Sequence, residues 1–233
     1  RISKPFFIVL IFLMSSKQRH AFHLVDPSVM PFLTSVSALT LVIGGSMYFH
    51  GYVLGVETTF FGFISMLVCM FLWWRDVIRE GYLEGHHTNI VQLGLRYGML
   101  LFIASEVMFF FAFFWAFFAA SLAPTIEIGT VWPPKGISVF NPFEVPLLNT
   151  LILLCSGATI TYSHHAITAG NKAEAVWSLI LTILLAVIFT GFQVFEYTTA
   201  NFNITDGIYG STFYMATGFH GFHVFIGTVA LTV

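Results

Sequence analysis

The sequence predicts an all-α membrane protein, a bundle of helices that crosses the bilayer several times. Of its 233 residues, 57% are hydrophobic, 18% are aromatic and only 9% are charged. Soluble domains carry about a quarter charged residues, so this chain has too few charges to cover a surface in water. The net charge of -2 provides no basic surface for nucleic acid. The composition therefore excludes a soluble enzyme, a disordered chain and a nucleic-acid-binding protein.

Six apolar segments are predicted to form the membrane helices, because crossing the hydrocarbon core takes about 20 mostly apolar residues. They are residues 31–52, 56–74, 97–122, 146–162, 176–197 and 210–233. A shorter apolar run at 6–14 lies between basic residues and favours a short interfacial arm. We therefore divide the chain into an N-terminal arm, 1–18, and one transmembrane helical domain, 19–233.

The lysines and arginines predict the orientation in the membrane. With six spans, the N-terminal segment and the connections after the second and fourth spans lie on one side. That side carries Arg1, Lys4, Lys17, Arg19, Arg75, Arg79, Arg96 and Lys172. Lys135 alone lies on the other side. Because short cytoplasmic loops are rich in Lys and Arg, we predict that the N-terminus lies in the cytoplasm or the mitochondrial matrix.

Glu106 is the acid predicted to lie deepest in the membrane. It follows Arg96 by ten residues, which at 1.5 Å per residue corresponds to roughly 15 Å of helix. An ionised carboxylate there is costly, so we expect Glu106 to be protonated or to pair with a hydroxyl or a water. It is either a proton relay or a neutral packing residue. The second is favoured, because Glu57 and Glu196 lie near span ends and leave no other acid at that depth.

The histidines and cysteines do not predict a redox centre. His86-His87 and His164-His165 are adjacent pairs, and adjacent residues on a helix point apart. His220 and His223 share a helix face, and we expect them to form hydrogen bonds between helices rather than to bind a metal. Cys69 and Cys155 lie far apart in apolar runs and are expected to pack as small hydrophobic residues. No metal site is therefore predicted.

The densest charge cluster follows the second predicted span. It begins with Trp73 and Trp74 and continues through Arg79, Glu80 and His87. Tryptophan next to basic residues at a span end is typical of the lipid headgroup region. The cluster is interpreted equally well as a specific site for an anionic headgroup or as an ordinary interfacial anchor with internal Arg–carboxylate pairs.

Eleven short motifs resemble subunit III of cytochrome c oxidase in its mitochondrially encoded form, in the order and spacing of that family. They are 73–80 (WWRDVIRE), 85–88 (GHHT), 94–98 (GLRYG), 105–107 (SEV), 115–117 (WAF), 121–124 (SLAP), 132–134 (WPP), 144–150 (EVPLLNT), 164–165 (HH), 206–213 (DGIYGSTF) and 216–224 (ATGFHGFHV). The resemblance extends over about 19–233.

The resemblance implies a V-shaped arrangement of seven helices, two on one arm and five on the other. Six of them are expected in this chain. The family's last helix has no counterpart in the sequence, so we expect either a truncated sequence or a separate polypeptide that supplies this helix.

The resemblance also implies the function. We expect a core subunit without haem or metal of its own, beside subunit I and the other oxidase subunits, which hold haem and copper. The complex oxidises cytochrome c, reduces dioxygen to water and pumps protons across the mitochondrial inner membrane. The N-terminus is expected on the matrix side.

The resemblance implies roles for five residues. The positions that match Trp74, Arg79, Glu80 and His87 surround an anionic structural phospholipid, and Glu106 matches a buried carboxyl near the lipid cleft. Two alternatives stay open: the equivalent subunit of a quinol oxidase, or a small transporter or proton channel that uses Glu106.

Overall fold

The computed structural model describes residues 20–233, so the predicted arm at 1–18 lies outside the described residues. Within 20–233 there are six long helices, α1 (Met30–Phe49), α2 (Gly55–Tyr82), α3 (Asn89–Leu122), α4 (Val145–Thr168), α5 (Lys172–Thr199) and α6 (Gly207–Thr232). A short 3-10 helix, Ile126–Ile128, lies between α3 and α4. No strand occurs within 20–233, which confirms the all-α prediction.

Five of these helices, α1 to α5, are long and apolar enough to cross a membrane. Helix α6 has 26 residues, which is sufficient length, but it falls short in apolar character. The physical reason lies in its sequence, where His220 and His223 interrupt the most apolar stretch. Its insertion as a sixth span stays a prediction.

The helices extend beyond the predicted spans on the side that carries the positive charges. Helix α2 continues to Tyr82 and α3 begins at Asn89, because the charged residues there favour helix as readily as apolar ones do. The chain leaves α2 at Gly85, whose φ of +71° suits glycine. Arg79 and Glu80 therefore lie on a helical extension of α2 rather than in a loop.

The described residues fall into two compact units, 20–103 and Ala104–Val233, with the boundary inside α3. In the first unit α1 packs directly on α2, and glycine permits the close approach. A Cβ added at Gly44 would lie 2.4 Å from the backbone nitrogen of Thr59, and one at Gly62 would lie 2.4 Å from that of Leu41. Small residues at helix contacts are typical of membrane proteins.

In the second unit, α4 packs along α5 through small polar side chains. The hydroxyls of Thr159 and Thr182 are 2.7 Å apart, and the Ser163 hydroxyl donates to the carbonyl of Ala175 at 3.1 Å. Ser163 is fully buried. These bonds fix an antiparallel register between the two helices, and α6 also packs on α5.

The connection between α3 and α4 packs on neighbouring residues through aromatic side chains. Trp132 contacts the rings of Phe117 and Tyr209, both at centroid distances of 5.5 Å. Phe140 contacts Phe202 at 5.6 Å, and Phe202 is 2% exposed. The connection therefore forms an aromatic layer with the start of α6.

Candidate functional site

A polar groove of about 1130 Å³ lies beside the last turns of α2 in the first unit. Its wall combines the segment before α1 with one face of α2. The ionisable residues of the wall are His20, His23, Asp26, Asp76, Arg79, Glu80, Glu84 and His86. Apolar side chains, including Trp73 and Val77, complete it. The groove is thus an amphiphilic site with charges of both signs.

Hydrogen bonds and ring contacts hold the segment before α1 against the α2–α3 connection. The Thr88 hydroxyl donates to the carbonyl of Ala21. The His23 ring stacks on His86 with a centroid distance of 4.8 Å and an interplanar angle of 12°. Nε2 of His23 also lies 3.9 Å from Oε2 of Glu80. These contacts place two histidines and a carboxylate at one edge of the groove.

The structure brings together only part of the predicted lipid site. Arg79 and Glu80 line the groove, whereas Trp74 and His87 are not in its wall. Trp74 is 61% exposed, and its neighbour Trp73 lines the groove instead. The His87 ring lies against Gly81, where an added Cβ would be 2.6 Å from Nδ1 of His87.

The sequence does not predict that residues 20–28 contribute to the groove. Three of the ionisable groups in the wall, His20, His23 and Asp26, come from this segment. Polar residues are common before an apolar run in a membrane protein, so the composition of this segment does not indicate a binding site. They belong to the site because the segment 20–28 lies close to α2 in the structure.

Glu106 pairs with a histidine in the second unit. Its Oε2 forms a hydrogen bond with Nε2 of His223, from α3 to α6. Nδ1 of His223 lies 2.6 Å from the carbonyl of Phe219. A carbonyl can only accept, so Nδ1 carries a proton and donates. The prediction that His223 forms a hydrogen bond between helices is confirmed. The structure gives Glu106 an imidazole as its partner, where the sequence predicts a protonated carboxyl or a hydroxyl or water partner.

The Glu106–His223 pair is neutral overall in either protonation state. With Nδ1 protonated, a single proton is shared between Nε2 and the carboxyl, so the pair is either acid with imidazole or carboxylate with imidazolium. Both side chains are about one-third exposed, at 33% and 37%, with Phe110 at 5.1 Å from the imidazole. His220 lies against Phe189 at 5.7 Å and, among residues 20–233, has no hydrogen bond of the kind predicted for it.

Comparison with known proteins identifies the family. A family model described as cytochrome c oxidase subunit III matches residues 20–233, essentially the whole described chain. The chain belongs to the cytochrome c oxidase subunit III family. The predicted family is thereby confirmed, and the chain is a subunit of an oxidoreductase complex of the respiratory chain.

Curated relatives in this family come from algae and plants. Cytochrome c oxidase subunit 3 of Prototheca wickerhamii is 64% identical over 216 residues, which cover 93% of this chain and 82% of the relative. That of Chondrus crispus is 62% identical over 218 residues, or 94% and 80%. That of Arabidopsis thaliana is 61% identical over 220 residues, or 94% and 83%. These are mitochondrial-type subunits.

Within residues 20–233, no group of three or more His, Cys, Asp or Glu side chains is arranged to hold a metal ion. The two cysteines are free, and Cys69 is buried with its sulfur 3.8 Å from the Ser37 hydroxyl.

Proposed function

We propose that this chain is a non-redox subunit that holds structural phospholipid and stabilises subunit I of cytochrome c oxidase. The observation that carries the proposal is the groove beside α2, where Arg79 lies among histidines at the end of a long apolar helix. Such a site offers donors to a phosphate and apolar helix surface to the acyl chains. The haem and copper of the complex belong to neighbouring subunits in this proposal.

Arg79 is the decisive group for a lipid phosphate. The wall also carries Asp26, Asp76, Glu80 and Glu84, and these carboxylates repel an anion. A guanidinium presents several N–H donors in a fixed plane and binds phosphate in a bidentate manner. Retention of the headgroup therefore depends on Arg79, assisted by whichever groove histidines are protonated.

Helix α3 supports a role in stabilising a partner subunit. It is 34 residues long, and none of its residues is buried within the described chain. Large side chains such as Phe111 and Trp115 are 56% and 66% exposed. An apolar surface of this extent is covered by lipid or by another polypeptide. Because the chain belongs to an oxidase subunit family, the other oxidase subunits are the expected partners.

The proposed location is the mitochondrial inner membrane, with the N-terminus on the matrix side. The uneven distribution of Lys and Arg between the two ends of the helices supports this orientation. The curated relatives from algae and plants support the mitochondrial assignment.

Removal of Arg79 tests the lipid site. We expect Arg79→Ala to remove bound phospholipid from the purified oxidase, because the carboxylates of the groove then repel the phosphate without compensation. Native mass spectrometry of the complex measures the loss. The matched control is Arg96→Ala: Arg96 lies near the start of α3, is exposed and is not in the groove wall.

The control is expected to retain the lipid content of the parent. Undiminished phospholipid in the Arg79→Ala complex would reject the site. Equal loss in Arg96→Ala would show that the positive charge of this membrane face matters, rather than the groove.

A further inference from the structure

A second groove, with mainly apolar walls, lies between α4 and α5 in the second unit. Its volume is about 350 Å³, which is within the range of small-ligand pockets, about 300–1,000 Å³. None of its lining residues belongs to the groove beside α2. Its lining includes Thr159 and Tyr162 from α4, and Glu174, Trp177, Ser178 and Leu181 from α5. We call it the α4–α5 groove.

The hydroxyl groups that line the α4–α5 groove already have partners within the chain. The Thr159 hydroxyl donates to the carbonyl of Ser156 at 3.0 Å and lies 2.7 Å from the Thr182 hydroxyl. The Ser178 hydroxyl donates to the carbonyl of Glu174 at 2.8 Å, and Ser178 is buried. An occupant therefore needs no polar group to satisfy these hydroxyls.

Two exposed aromatic side chains line the groove from opposite helices. Tyr162 on α4 is 53% exposed, and Trp177 on α5 is 67% exposed. Tyr162 ends one predicted membrane span, 146–162, and Trp177 is near the start of the next, 176–197. Tyrosine and tryptophan at span ends lie at the depth of the lipid headgroups. The groove is therefore placed to receive the headgroup of a lipid.

Glu174 gives the groove a negative charge. Its Oε2 accepts a hydrogen bond from the Tyr162 hydroxyl at 2.8 Å, which holds the carboxylate in place. Glu174 lies in the first turn of α5, where the helix dipole favours a negative charge. Among residues 20–233, no Lys, Arg or His forms an ion pair with it. A positively charged ligand is therefore favoured.

Two aromatic faces and a carboxylate around an apolar cavity match a quaternary ammonium group, which binds to aromatic rings through cation–π attraction. The trimethylammonium group of choline has no N–H donor, so apolar walls leave none of its groups unsatisfied. The ammonium group of ethanolamine has three N–H donors, which the apolar walls cannot all satisfy. An anionic headgroup is repelled by Glu174.

We propose that the α4–α5 groove binds the choline headgroup of a phosphatidylcholine molecule. The trimethylammonium group lies between the rings of Tyr162 and Trp177, and the carboxylate of Glu174 balances its charge. An acyl chain follows α5 into the membrane over Leu181, which is 50% exposed.

Photo-cross-linking of the assembled oxidase tests the site. The probe is a phosphatidylcholine with a diazirine in one acyl chain, present as a trace in proteoliposomes of phosphatidylethanolamine and phosphatidylglycerol. Mass spectrometry measures its cross-links to peptides from α4 and α5. We expect Trp177→Leu to lower this cross-linking about tenfold, because the cation loses one aromatic face. Trp177→Phe keeps a ring and is expected to retain more cross-linking than Trp177→Leu.

A matched control and a second probe complete the test. Phe195→Leu removes another exposed ring of α5, 54% exposed and outside the groove, and is expected to match the parent. A phosphatidylethanolamine with the same diazirine is expected to cross-link less and not to respond to Trp177→Leu. Unchanged choline-probe cross-linking in Trp177→Leu would overturn the proposal. Equal loss in Phe195→Leu, or an ethanolamine probe that behaves like the choline probe, would also overturn it.

Discussion

Gly62→Ala is expected to force α1 and α2 apart and to destabilise the chain by about 2–3 kcal/mol, a cost typical of overpacking. The new Cβ would lie 2.4 Å from the backbone nitrogen of Leu41. Backbone atoms cannot rotate away as a flexible side chain does, so the helices themselves must separate. Gly62→Leu is expected to prevent assembly altogether. The temperature at which the chain dissociates from the purified oxidase measures the effect.

Gly45→Ala is the matched control for this prediction. Gly45 lies in α1, next to the contact glycine Gly44, but a Cβ added at Gly45 meets nothing within 4 Å. Alanine favours helix over glycine by about 1 kcal/mol, so the control is expected to be neutral or slightly stabilising. Adding a methyl group is thus expected to destabilise the chain at Gly62 and to be neutral or slightly stabilising at Gly45. Equal destabilisation would show that the close approach of α1 and α2 does not control stability.

The second large effect is expected at the Glu106–His223 pair. Glu106→Leu leaves Nε2 of His223 without its carboxyl partner, and His223→Leu leaves the carboxyl without imidazole. An unsatisfied polar group of this kind costs about 1–3 kcal/mol in apolar surroundings. Replacing both residues by leucine is expected to cost less than either single change, because no orphan group remains. The dissociation temperature of the subunit measures all three variants.

Glu106→Gln separates structure from proton conduction. The amide N–H₂ of glutamine can donate to Nε2 of His223, so the hydrogen bond and the neutral charge of the pair are kept. We expect normal assembly and largely intact proton pumping by the oxidase in proteoliposomes. Abolished pumping in a normally assembled complex would instead assign conduction to Glu106.

The number and kind of helices follow from composition because hydrocarbon imposes one rule: every backbone polar group must be satisfied within its own segment. Apolar runs of sufficient length therefore predict helices. Their ends are less predictable. Trp74 ends the apolar run, but nothing after it breaks the helix, and α2 continues to Tyr82. Hydropathy indicates where the lipid-facing segment ends, but it does not indicate where the backbone hydrogen bonds of the helix end.

The partners of polar groups depend on contacts that no local pattern reveals. The spacing of His220 and His223 shows that they share a face, but not that His223 faces an acid 117 positions away. Glu196 is near the end of its apolar run and for that reason is interpreted from the sequence as peripheral. In the structure it is 7% exposed.

We propose above that this subunit holds phospholipid and no redox centre. Dissociating the chain from the purified oxidase and assaying haem, copper and phospholipid phosphorus in both fractions tests both properties. We expect all haem and copper to stay with the remaining subunits, while phospholipid leaves with the chain. Haem or copper in the dissociated fraction, or phospholipid that stays behind in full, would contradict it.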